Sequence, residues 1–245
     1  MKKISTACIL AAALCAGGSV NAEQVPERYI TVKHDGYTLV MDCVARAPLM
    51  FQFRLGKDVW SEPRSDNFDF DPKVPRYCQQ TRTKGYGSKK GTIYHRGHLV
   101  GANAMDNSRH TMEESFYMTN IVPQASEFNR GAWLVTEEYQ ECLREQSDIL
   151  VAGGVAFNDD TNDYFLRGHS VKTPDLFWKI IVTGQGGYYA WMFPNTDEMV
   201  ESEAIKYMTS IGQIESTIGF NLNLGSLRQL PTSSLPENRK KCHLG

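Results

Sequence analysis

The sequence predicts an α+β fold, a central antiparallel sheet flanked by helices. Short β-rich runs bounded by turn residues open the chain and recur towards its end, only two stretches carry helical spacing, and no repeat or low-complexity linker separates them. One domain over 23–245 accounts for that pattern, preceded by a leader over 1–22. With 245 residues, 41% hydrophobic and 22% charged, the chain can bury a large core and is too apolar for disorder.

The leader reads from its own residues. Met1-Lys2-Lys3 is a positive start, Ile9 to Ala16 is apolar, and Val20-Asn21-Ala22 offers small residues for cleavage near Ala22. The stretch is too short to be a membrane anchor, so a periplasmic or secreted protein is expected. Removing Lys2 and Lys3 leaves 24 of the 26 basic residues against 28 acidic ones, a formal −4. Cys8 and Cys15 leave with the leader; Cys43, Cys78, Cys142 and Cys242 remain. An even number outside the cytoplasm predicts two disulfides, with three pairings open; Cys43 with Cys78 and Cys142 with Cys242 is the pairing favoured here.

The elements follow in order. Tyr29–Lys33, Tyr37–Ala45 and Leu49–Leu55 read as strands, with turn signals at His34-Asp35-Gly36 and Ala47-Pro48. Ser61 to Lys90, rich in Pro, Asp, Lys and Gly, reads as a surface loop. Thr92–Val100 and Phe116–Val122 read as strands, the second ended by Pro123. Asn129 opens or caps a helix to about Glu145, on which Trp133, Tyr139 or Gln140, and Leu143 share a face. Ile149–Phe157 is a strand, and Phe177–Thr183 with Tyr188–Pro194 forms a hairpin around Gly184–Gly187. Ile211–Ile218 is a short helix, with Ser210 and Gln213 at capping spacing and Gly219 at its stop.

Charge is segregated. From Pro72 to His98 there is no Asp or Glu, while Lys73, Arg76, Arg82, Lys84, Lys89, Lys90 and Arg96 are basic. In a mildly acidic protein, such a run ending in a histidine pair is the one patch suited to a phosphate backbone. Hydrolysing a phosphodiester requires a base for the attacking water, a partner for the phosphate and a cation for developing charge. Imidazole titrates near neutrality, guanidinium fits phosphate, and Mg²⁺, which keeps its waters, accepts a lone amide oxygen. His98, Arg96 and Asn129 meet those needs. Singly, each has a plainer role: a surface histidine, a helix cap, or for His95 and His98 half of a zinc site.

Together the residues fit a pattern. Tyr94-His95-Arg96-Gly97-His98, then Thr119-Asn120-Ile121-Val122-Pro123-Gln124, then Phe128-Asn129-Arg130-Gly131-Ala132-Trp133 and Glu137 run in order over 94–137. This stretch resembles the DNA/RNA non-specific endonucleases, the Serratia-type and endonuclease G-like ββα-metal (His-Me finger) nucleases, whose signature is DRGH, SNIxPQ and LNQGAW with a downstream glutamate. Val151–Phe157 and Pro174–Ile180 resemble the family's later strands. The resemblance implies His98 as general base, Asn129 as protein ligand of one Mg²⁺ (Mn²⁺ substituting), and Arg96 on phosphate. It further implies Glu137 orienting a metal-bound water and Asn120 supporting base or substrate. Lys89, Lys90, His95 and Arg130 are the nucleic-acid contacts expected around them. The substrates implied are DNA and RNA, cut to 5′-phosphate ends, with no membrane partner and a homodimer as a possible assembly. Two departures stand out: His95 replaces the motif Asp, and the family's upstream arginine has only Arg76 or Arg82 as candidates. A binding protein that no longer cuts is the alternative His95 leaves open.

Overall fold

The computed structural model describes residues 27–89, 91–162, 168–224, 226, 227, 230 and 233–235; the leader over 1–22 and Cys242 lie outside them. Six strands build the main sheet: β1 Tyr29–Lys33, β2 Tyr37–Asp42, β3 Ala47–Leu55, β7 Ile149–Ala156, β8 Leu176–Thr183 and β9 Tyr188–Pro194. They pair in the order β1-β2-β3-β7-β8-β9, antiparallel throughout. A second antiparallel sheet, β4 Gly87–Lys89, β5 Thr92–His98 and β6 Ile121–Ala125, carries the motif residues.

The interior strand β8 is apolar in succession because both of its faces are covered. With a side-chain period of two, Phe177 and Ile181 point into the larger core with Phe128, Trp133, Trp191 and Phe193. Trp178 and Ile180 point the other way, onto Ile211 and Ile214 of α4 Ile211–Ile218. Each such fully buried side chain contributes about 1.5–3 kcal/mol relative to exposure. The expected caps close α4: Ser210 Oγ accepts from Gln213 N at 3.1 Å, and Gly219 stands in the left-handed conformation. Among the described residues no helix is long and apolar enough to cross a membrane.

Three expectations need correction. The second turn lies at Cys43–Arg46, before Ala47-Pro48, which belong to β3. Asp42 Oδ1 makes that turn by accepting from Val44 N and Ala45 N at 2.8 and 3.3 Å, and the Cys43–Cys78 disulfide ties it to the long loop. Cys142 is also disulfide-bonded. Phe116–Val122 is not a strand: α1 Arg109–Ser115, capped by Ser108, precedes a helical turn at Met118–Asn120, and β6 begins only at Ile121. Pro123 sits within β6 rather than ending it, tolerated because β6 is an edge strand and needs no outward N–H there.

The third correction concerns Asn129. The single expected helix is two, α2 Ser126–Arg130 and α3 Ala132–Arg144, broken at Gly131 (φ −109°, ψ −111°). A Cβ at Gly131 would lie 2.5 Å from the Glu127 carbonyl oxygen and 2.7 Å from that of Met199, so the chain bends where backbone crosses backbone. Asn129 therefore sits in the last turn of α2 and caps nothing. The carbonyl end of a helical turn favours a cation, the reverse of the positive helix start expected there.

Candidate active site

Strand alternation begins the site. Arg96 and His98, two residues apart, line a cleft of about 520 Å³ together with Arg64, Asn129, Arg130 and Glu137. Gly97 between them is obligatory: Gln124 of β6 lies over it, and an added Cβ would stand 2.5 Å from the Gln124 Cβ. Trp133 Nε1 of α3 donates to the His98 carbonyl at 3.2 Å and fixes the end of β5 on the helix.

His98 is held in an aromatic cage. Phe116 meets its ring edge-on with centroids 4.8 Å apart, and Phe68 lies at 5.6 Å. Each ring also carries a cation: the Arg96 guanidinium is 3.7 Å from the Phe68 centroid and that of Arg64 is 5.2 Å from the Phe116 centroid. Burial, with Arg64 and Arg96 adding to it, pushes the imidazole down to about 3, so it is neutral across the physiological range. Its Nε2 is buried and has no hydrogen-bond partner among the described residues. A neutral imidazole with an unpartnered nitrogen is a proton acceptor in waiting.

Asn129 is oriented by the residue that departs from the motif. Its Nδ2 lies 3.1 Å from His95 Nδ1 and donates to it in the neutral Nε2–H tautomer of the ring. That leaves the hard amide Oδ1 as the free acceptor, the donor type that suits Mg²⁺. His95 thus holds Asn129 and does not line the cleft, contrary to its expected place as a phosphate contact. Nor do His95 and His98 form half of a zinc site. Among the described residues the metal-capable cluster of three is Asp35, His110 and Glu114, where Lys73 Nζ already occupies Glu114 at 2.8 Å.

Carboxylates line the floor. Burial raises the carboxyls of Glu137 and Glu141, opposed at Glu137 by the buried Lys179 and at Glu141 chiefly by Arg144. Lys179 rests 3.8 Å from the Trp133 ring centroid, its ammonium lowered to about 8 by the same burial. Arg130 is exposed at the rim and paired with Glu127.

The remaining expected residues divide. Asn120 is fully buried and does not reach the cleft. Its Nδ2 donates to the carbonyls of Val100 and Ser115, both at 2.8 Å, and its Oδ1 accepts from Val100 N at 2.9 Å. It fixes the backbone just after His98. The side chains of Lys89 and Lys90 lie outside the described residues. The basic run is not one patch: Lys73 pairs with Glu114 and Arg76 stacks on Phe70 at 3.6 Å. Neither Arg76 nor Arg82 lines the cleft, and the upstream cation that does is Arg64. It was hidden in a loop without periodicity, where only proximity in space distinguishes one arginine from another.

The model of the DNA/RNA non-specific endonuclease family matches residues 18–229. The chain belongs to that family. It is therefore placed among hydrolases that are typically metal-dependent. Human mitochondrial endonuclease G is 28% identical over 171 residues, 64% of this chain and 56% of that protein. Nuclease C1 of Cunninghamella echinulata is 27% identical over 165 residues, 62% and 64% respectively. A nuclease of Nostoc sp. is 24% identical over 218 residues, 83% and 76%. The chain thus spans just over half of endonuclease G and under two thirds of nuclease C1. A chain of the solved EndoG/EndoGI complex superposes with a TM-score of 0.60 at 20% identity, covering 82% of this chain and 86% of that one, and carries the same fold.

Proposed function

We propose that this chain is an exported Mg²⁺-dependent endonuclease, with Mn²⁺ able to substitute, that hydrolyses DNA and RNA phosphodiesters without strong sequence preference. The observation that carries this reading is the caged, neutral His98, its Nε2 without a partner, in one cleft with the Asn129 amide and the Arg64 and Arg96 guanidinia. His98 takes a proton from water as the water oxygen attacks phosphorus. The P–O3′ bond breaks, the 3′-oxygen leaves with a proton from solvent, and the phosphate stays on the 5′ end. Arg96 and Arg64 bind the phosphate oxygens with their planar forks. Asn129 Oδ1 would hold the cation, which when bound stabilises charge on the phosphoryl and leaving oxygens. Glu137 orients water on the cleft floor. Sequence tolerance follows from contacts made to backbone rather than base edges, with Lys89, Lys90 and Arg130 as candidate outer contacts. The Cys43–Cys78 disulfide supports export, with the leader removed near Ala22.

Digesting plasmid and RNA with the mature protein, with Mg²⁺ and with EDTA, beside His98→Ala, tests the reading. Base catalysis is worth about 10²–10⁴-fold, so the variant should lose at least that much. Cleavage by His98→Ala near the wild-type rate would overturn the assignment.

A further inference from the structure

Beside the catalytic cleft lies a second pocket of about 560 Å³, walled in part by Lys57, Val59, Trp60, Ala104, Asn107 and Arg144. It adjoins the cleft in two ways. Ala104 lines both, and the segment that brings Trp60 to one brings Ser61 to Arg64 to the other. Four residues span at most about 14 Å, so Trp60 stands within a short reach of Arg64. The segment is pinned: Asp58 N donates to Glu145 Oε1 at 2.9 Å, Trp60 N to Asp58 Oδ1 at 3.2 Å, and Glu62 N to the Asp106 carbonyl at 3.0 Å. Trp60 is nevertheless 64% exposed, whereas Trp133, Trp178 and Trp191 are at most 1% exposed. An indole held out on an anchored strap, at the cost of its hydrophobic burial, suits a ligand with a flat π-face. Arg54 and Lys57, both exposed on the pocket wall, supply cations for a phosphate chain. The acid on that wall, Asp35, is paired with His110 at 3.3 Å.

We propose that Trp60 and this pocket form a nucleotide subsite, in which a base flanking the scissile phosphate stacks on the indole while Lys57 and Arg54 meet the adjoining phosphates. The proposal rests on the nuclease reading above and adds to it where the strand goes when it leaves His98. Stacking is indifferent to base identity, so the subsite confers affinity without sequence preference.

The test is oligonucleotide binding in EDTA to the full mature chain, with Trp60→Ala, Trp60→Phe and Ile205→Ala compared. Trp60→Ala should weaken a single-stranded decamer by about 5- to 100-fold and Trp60→Phe by much less, the range found when stacked aromatics are truncated. Ile205→Ala, an equally exposed apolar residue that lines neither pocket, should bind like wild type. The decamer should shield tryptophan emission from acrylamide quenching in wild type and leave the emission of Trp60→Ala unaffected. With Mg²⁺, the penalty on kcat/KM should grow with length, from a p-nitrophenyl diester to dinucleotide to decamer. Equal decamer affinity in wild type and Trp60→Ala, with both still cutting DNA, overturns the subsite and leaves the nuclease reading standing. A chain that neither binds nor cuts any nucleic acid takes both down. Self-association in wild type that Trp60→Ala abolishes, without change in decamer affinity, would assign the indole to a second copy of the chain and overturn the proposal too.

Discussion

The protonation of His98 is the sharpest consequence of its cage. In water an imidazole would be about 3% neutral at pH 5, whereas one held at about 3 is about 99% neutral there, a difference of some thirtyfold in available base. Lowering the group this far means that a proton on His98 costs at most about 5 kcal/mol more than in water, the upper figure because the residue as a whole is only half-buried. Acidification from pH 7 to pH 5 should therefore leave His98 unprotonated. Any acid limb in that interval belongs to the cleft carboxyls that burial moves upward: Asp106, raised to about 6, with Glu137 and Glu141. The direct assay is NMR of ¹³C-histidine-labelled protein, with the His98 resonance assigned by its loss in His98→Ala, followed from pH 8 to pH 4.5. No midpoint for that resonance is expected in the range. A midpoint between 6 and 7 would refute the argument from the Phe68–Phe116 cage and its two arginines.

Other expectations are independent of that one. Gly97→Ala drives a Cβ into Gln124 and should cost about 1–3 kcal/mol in urea unfolding, as overpacking does. His95→Ala should weaken Mg²⁺ binding in calorimetry by releasing the Asn129 amide, with His95→Asn restoring part of it; identical isotherms for wild type and both variants would remove His95 from the site. Asp71 and Glu114 clasp the buried His34, and their folded-state pKa values lie below the ordinary ones. They add stability that is present above the unfolded carboxylate range of about 4 and lost as pH falls through the folded values; Glu114→Gln should flatten the acid side of a Tm-against-pH curve. Replacing Cys43 and Cys78 by Ser opens a loop of sequence separation 35 and should lower stability by about 3–4 kcal/mol in the chain-entropy account.

Much of this molecule was legible in its residues, and the failures share a physical cause. β1, the β8–β9 hairpin and α4 were found because period, turn residues and caps agree locally. Arg96, His98, Asn129 and Glu137 are legible as a group because the chemistry constrains residue type and order, and the fold gathers all four in one cleft. Nothing local marks α1, and the residues after it carry a strand-like apolar run, because Phe116 and Met118 are buried by contacts distant in sequence. The break at Gly131 escaped for the same reason: the Met199 carbonyl that crosses it comes from after β9. Arg64 and Trp60 were lost in irregular loop, where no periodicity says which side chain returns to the centre.

The segment after β9 is bonded to the motif stretch at several points. Asn195 Oδ1 accepts from Ala125 N at 2.8 Å, Asn195 Nδ2 donates to the Pro123 carbonyl at 3.0 Å, and Asp197 Oδ1 accepts from Glu127 N at 3.1 Å. Ala132 N, at the start of α3, donates to the Met199 carbonyl at 3.0 Å. Residues 94–137 are thus no portable cassette. Grafted onto another scaffold they would keep their side chains and lose the clamp that sets the angle between Asn129 and Glu137, so swaps among relatives should exchange the distal clamp together with the signature it holds.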